Sequence, residues 1–145
     1  MPLRFLDTNV LIRYFTRDDE EKARQALALL ARVERGDEKV ITSPMVIFET
    51  VFTLQKGYQV PRSDIRRLVS AIIALRGLQL QRKNLYYRAF DLYVDHNISF
   101  ADAYNAAYME ERGATDIYTW DTDFDKLEGV AHLEPQEERL SSAGN

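Results

Sequence analysis

The sequence predicts an α/β fold, with a short, mainly parallel central sheet and helices on both faces. Three observations predict it. Short apolar runs alternate with longer amphipathic segments, the pattern left by strands joined through helical crossovers. The longer segments open and close on helix caps, among them Ser43-Pro44, Ser99, Gly36 and Gly113. Two of the apolar runs end in an acid, Asp7 and Asp121, and the carboxyl edge of a parallel sheet is where such folds bind ligands.

In order, "LRFLD" is a first strand ending at Asp7, and "NVLIRYF" a short helix after it. "DDEEKARQALALLARVERG" has acids at its start, Ala26, Leu29, Leu30 and Val33 on one face, arginines near its end and Gly36 as its stop. "EKVIT" is a second strand. Ser43 and Pro44 open a helix that runs to about Lys56, before Gly57. Pro61 and Ser63 open the next, whose Ile65, Leu68, Val69, Ile72 and Ile73 recur at helical spacing. "LQLQ" is a brief strand, and Asn84 caps "LYYRAFDLYVDH", with Leu85, Ala89, Leu92 and Tyr93 as its inner stripe. A helix follows from Ser99 to Gly113, then a strand in "TDIYTWD" and a weaker one in "VAHLEP". With no repeat or linker in sight, residues 1–134 form one domain, and the polar tail from 135 to 145 is expected to fray.

The 145 residues are 46% hydrophobic and 29% charged, an ordinary globular balance. Cysteine is absent, which removes disulfides and thiolate metal sites. The N-terminus does not read as a signal peptide, and no run of about 18 apolar residues occurs, so a soluble, cytoplasmic protein with no membrane partner is expected. A net charge of −4 argues against a uniformly basic nucleic-acid binder. Between Gln55 and Phe90, however, eight basic side chains face the single acid Asp64. That segment is either a solvated helix face or a holder of phosphates.

Four acids occupy matching places: Asp7 and Asp121 at strand ends, Glu49 in the helix after the second strand, and Asp102 in the first turn of the helix before the Asp121 strand. Each also has a plain structural explanation. Asp7 could cap the helix after it, and Glu49 could lie on a wet face with Thr53 and Lys56. Asp102 fits the capping box Ser99-Phe100-Ala101-Asp102, while Asp121 and Asp123 could be turn formers. If the acids converge, each like-charge pair at about 4 Å costs on the order of 4 kcal/mol at an effective dielectric of 20. Protonation or a bound cation must relieve it. Carboxylates, with Thr8, Asn9 and Thr119 as neutral oxygens nearby, suit a hard divalent ion such as Mg²⁺ or Mn²⁺. His96 and His132 are isolated and read as surface or core residues.

"FLDTNVLIRYF", "SPMVIFETVFTL", "ISFADAYNAAYMEERG" and "IYTWDTDF", in this order over roughly residues 3 to 133, resemble the four motifs of PIN-domain ribonucleases, in particular VapC-type toxins of bacterial toxin–antitoxin pairs. The resemblance implies a three-layer PIN-like fold and a Mg²⁺- or Mn²⁺-dependent RNA endonuclease. It also implies a homodimer and inhibition by a small antitoxin protein. By position, Asp7, Glu49, Asp102 and Asp121 match the acidic catalytic quartet, and Asp123 a further acid, so that Asp7, Asp102, Asp121 and Asp123 become the expected metal ligands. Thr8 and Thr119 match polar positions beside the site; Asn9 and Asn105 are suggested by adjacency alone. Trp120 is bulkier than expected beside Asp121.

Outside the site, Arg62, Arg66, Arg67, Arg82 and Lys83 are candidates to hold RNA phosphates. Tyr58, Tyr86 and Tyr87 could form a dimer or partner surface, or pack in the core. Two opposing readings stand. A non-catalytic PIN-like module that binds a protein would show a degraded acidic set. An aspartyl phosphotransfer enzyme would want a second acid two residues after Asp7, where Asn9 stands.

Overall fold

Most helices begin and end where their caps stand. The computed structural model describes residues 2–137, so the predicted tail lies outside the described residues from position 138 onward. Its helices are α1 (Thr8–Thr16), α2 (Glu20–Arg35), α3 (Pro44–Phe52), α4 (Arg62–Ile73), α5 (Lys83–His96) and α6 (Phe100–Arg112). Its strands are β1 (Arg4–Phe5), β2 (Val40–Ile41), β3 (Leu78–Gln79), β4 (Asp116–Tyr118) and β5 (Ala131–Leu133). The Ser43 hydroxyl accepts from the Val46 amide ahead of Pro44, and Gly36 ends α2 in the left-handed conformation at φ 82°. Two ends differ from expectation. After Phe52 the chain widens into a π-helical turn, Thr53–Gly57, closed by the Tyr58 amide on the Thr53 carbonyl at 3.2 Å. The cap of α5 is not Asn84 but Arg82, at φ 58° and without a side-chain capping bond.

All strand pairings are parallel, but the ladders form two groups. β1, β2 and β3 join in that order, with Arg4 opposite Val40 and Val40 opposite Leu78. β4 and β5 form a separate pair, Asp116 opposite Ala131 and Tyr118 opposite Leu133. The expected single sheet is thus drawn as two ladders of the same sense. Strands of two or three residues offer few ladder bonds, and each is fixed mainly by what packs on it.

The core has two parts. The larger is built from α3, α4, α5 and α6 with Phe124 and Leu127, and in it Phe90, Tyr93 and Phe100 meet edge to face and tilted. Tyr86 is 1% exposed and belongs to this cluster, and Tyr87 packs against it, which answers the open question about both rings in favour of the core. The smaller part joins β2 and β3 to α1 and α2 through Leu11, Leu30, Val33, Val40 and Leu78, with Ile72 of α4 reaching in. This second core fixes the end of β1. The Leu6 amide donates to the Ile41 carbonyl at 2.8 Å, the Thr42 hydroxyl donates to the Leu6 carbonyl at 2.9 Å, and Asp7 comes next.

Candidate active site

Asp102 lies in the first turn of α6, where its amide donates to the Ser99 hydroxyl at 3.0 Å. Only the serine half of the capping box is built, and the carboxylate turns instead toward Asp121 and Asp123. One oxygen from each of these three acids lies within 4.8 Å of the others. Burial raises the Asp102 pKa above the ordinary carboxylate range first of all, and the negative charge of Asp121 raises it further; the Ser99 hydroxyl pulls it back, and Asp123 adds a smaller push upward.

The Asp121 loop is built by its own side chains. The Asp121 amide donates to the Thr119 hydroxyl at 2.9 Å, and the Asp121 carboxylate accepts from the Asp123 amide at 2.8 Å, opening the 3₁₀ turn Thr122–Lys126. The turn-former reading and the cluster reading are therefore both true of Asp121. Lys126 lies 3.5 Å from Asp123 and offsets part of the crowding. His132 of β5, missed in the sequence, holds the loop from behind: its Nε2 donates to the Thr119 carbonyl at 2.6 Å, and Nδ1 is 3.4 Å from Asp125. Its position opposite Ile117 is long-range information, and no local pattern signals it.

Asp7 and Glu49 stand outside the three-carboxylate group. Asp7 occupies the N-cap position of α1, but its side chain makes no capping bond and is exposed, so the capping explanation does not account for it. Thr8 is 6% exposed, and its hydroxyl donates to Glu49 at 2.6 Å, tying α3 to the start of α1 beside Asp7. Asn9 and Asn105 are exposed and take no part in these bonds. The donor set that does converge is all carboxylate oxygen, the chemistry that hard divalent cations require.

The PIN domain family profile matches residues 4–130, a span that includes all five acids. The chain belongs to the PIN-domain family. The VapC ribonuclease of Aquifex aeolicus (strain VF5) is 26% identical over 136 residues, 94% of this chain and 99% of that protein. Among solved structures, VapC20 of Mycobacterium tuberculosis, a sarcin–ricin loop cleaving toxin, is 25% identical over 86% of this chain and 93% of its own. The TM-score between the two is 0.36.

The PIN domain's basic segment is more occupied than its sequence suggests. Arg62 is engaged within the fold: its guanidinium donates to the Tyr93 and Ile98 carbonyls at 2.9 and 2.5 Å and lies 4.3 Å from the Tyr93 ring centre. It closes the C-terminal end of α5, where carbonyls lack helical partners and a cation is favoured. Arg66 pairs with Asp91, Arg67 with Asp64, and Arg82 with Glu111 while lying over Tyr108. Lys83 donates to the Leu75 carbonyl at 3.2 Å, and burial lowers its pKa. The exposed pairs can exchange partners at little cost; Arg62 cannot. Arg62→Ala is expected to cost about 1–3 kcal/mol, because two carbonyls lose a charged donor. Urea unfolding would check it, and Arg67→Ala, in an exposed pair, should lie within about 0.5 kcal/mol of the parent.

Proposed function

We propose that this PIN domain is a metal-dependent endoribonuclease, the toxin of a toxin–antitoxin pair. One observation carries the proposal: Asp102, Asp121 and Asp123 converge in a member of a family that includes the VapC ribonuclease of Aquifex aeolicus. Those three acids would hold a Mg²⁺ or Mn²⁺ ion. Asp7, free of any capping duty, completes the donor set from the end of β1.

When bound, the ion supplies positive charge against the scissile phosphodiester and Lewis acidity toward water. The chain's own groups do the positioning. Glu49, fixed by Thr8, orients the attacking water, while Thr119 and His132 hold the Asp121 loop in register. No protein nucleophile is required. The nuclease domain spans residues 1–134, with a polar tail after it. Its partners are RNA, a small antitoxin that covers the acidic site, and a second copy of the chain in a homodimer. No described helix is long and apolar enough to cross a membrane, and RNA as substrate is in keeping with a cytoplasmic setting.

A labelled single-stranded RNA incubated with the purified chain tests the reading. Cleavage should appear with Mn²⁺ or Mg²⁺, stop with a chelator, and be abolished in Asp7→Asn while the circular dichroism spectrum is retained. A chain that binds the ion and never cuts RNA would instead be a PIN-like protein-binding module.

A further inference from the structure

We propose that Trp120 is a stacking platform for a base of single-stranded RNA beside the acidic cluster; this rests on the endoribonuclease reading. Trp120 is 71% exposed and Tyr118 is 73% exposed. Exposure alternates along this stretch, with Ile117 and Thr119 half-buried; Tyr118 ends β4, and Trp120 stands in the bend between that strand and Asp121. The inward-facing Thr119 supplies the hydroxyl and the carbonyl that fix the loop. The outward-facing ring of Trp120 has no such duty. An indole left mostly in water is an apolar cost unless something covers it in use.

Position and charge select the occupant. Trp120 adjoins Asp121 in sequence, so its Cα lies about 3.8 Å from that of a group in the cluster. A strand whose phosphate lies at the acids brings a neighbouring base within reach of the indole. The protein carries a net charge of −4, and the basic side chains of α4 and α5 are engaged with Asp64, Asp91, Glu110 and Glu111 or with helix-end carbonyls. Attraction to the phosphates is correspondingly weak. Stacking on an aromatic face does not depend on charge and accepts any base, and it is a main source of affinity for unpaired strands.

The chain contains a single tryptophan, so its emission reports on Trp120 alone. The probe is a 2′-O-methyl RNA oligonucleotide of mixed sequence, which resists cleavage, with an abasic oligomer of the same backbone as control. Saturable quenching by the first and none by the second is expected. With the same probe fluorescently labelled, anisotropy should show Trp120→Ala binding roughly five- to a hundredfold more weakly, with Trp120→Phe restoring most of the loss. Because the ring is exposed, the unfolding midpoint of Trp120→Ala should match the parent, which separates lost stacking from lost fold. Equal binding by Trp120→Ala, or equal binding of the abasic oligomer, overturns the proposal. So does an emission indifferent to RNA that shifts blue with rising protein concentration, which would assign the ring to a second copy of the chain. Cleavage of ordinary RNA by the parent is measured alongside. Cleavage without quenching removes the stacking role and leaves the nuclease; quenching without cleavage does the reverse.

Discussion

RNA cleavage is expected to fall by at least about a hundredfold in Asp121→Asn, and the metal-free protein should become more stable rather than less. Both effects have one cause. Asparagine keeps the oxygen that accepts from the Asp123 amide and the backbone amide that donates to Thr119, so the 3₁₀ turn persists. What disappears is one negative charge from a group of three lying within 4.8 Å. Without an ion, that charge opposes its neighbours; with an ion, it is a ligand. Mn²⁺ should therefore raise the melting temperature of the parent strongly, since an ion at a hundredfold its dissociation constant adds about 2.7 kcal/mol, and raise that of the variant far less.

Asp102→Asn exposes the same tension through pH. The native pKa of Asp102 lies above that of the unfolded chain, so the native state binds this proton more tightly. The stability tied to it is complete below the ordinary carboxylate range and is lost as pH rises through the raised value. Melting temperatures of the metal-free parent, relative to Asp102→Asn, should then decline as pH rises from about 4, the ordinary carboxylate value. A flat difference would show that neither burial nor the charge of Asp121 raises the Asp102 carboxyl in the folded state.

The local features of this fold were legible in its sequence, and the long-range ones were not. Ser43-Pro44, Ser99, Gly36 and Gly113 mark helix ends because a cap is satisfied within a few residues. The acids were legible in kind but ambiguous in role, and for Asp121 both roles turned out to operate together, since a carboxylate with two oxygens can build a turn with one and face its neighbours with the rest. The role of Arg62 at the end of α5 was not legible because its partners, Tyr93 and Ile98, lie 31 and 36 residues away. A charge run says nothing about which cations the fold has already used. Strands of two residues cannot show an alternation, and so the sequence could not foretell that the β4–β5 ladder stands apart from β1–β3. The convergence of Asp7 with the other acids was read from its place at a strand end, yet the tightest group among the described residues contains Asp123 and not Asp7.

Gly77→Ala should be the most damaging small substitution on the scaffold, lowering stability by roughly 3 kcal/mol or more and the melting temperature by on the order of 10 °C. Nothing in "RGLQLQ" announces this. Gly77 is wedged where the end of α2 meets the start of β2 and β3: its amide donates to the Val33 carbonyl at 2.9 Å, and its carbonyl accepts from the Val40 amide at 2.9 Å. A β-carbon there would fall inside contact distance of the Glu38 carbonyl oxygen and 2.7 Å from that of Val33. Both obstacles are backbone, so no side-chain rotation can relieve the clash. Moving the chain outward stretches the two hydrogen bonds that tie Gly77 to α2 and to β2, and with them the packing of Val40 and Leu78 in the smaller core. Gly57 supplies the contrast. A β-carbon at that position meets only the Thr53 methyl at 3.8 Å, and alanine there should be neutral or stabilising by up to about 1 kcal/mol, through the lower entropy of the unfolded chain. Thermal melts of the two variants side by side would separate close backbone approach from the general cost of replacing a glycine. Equal melting temperatures would mean that α2, β2 and β3 are less tightly joined than these distances require.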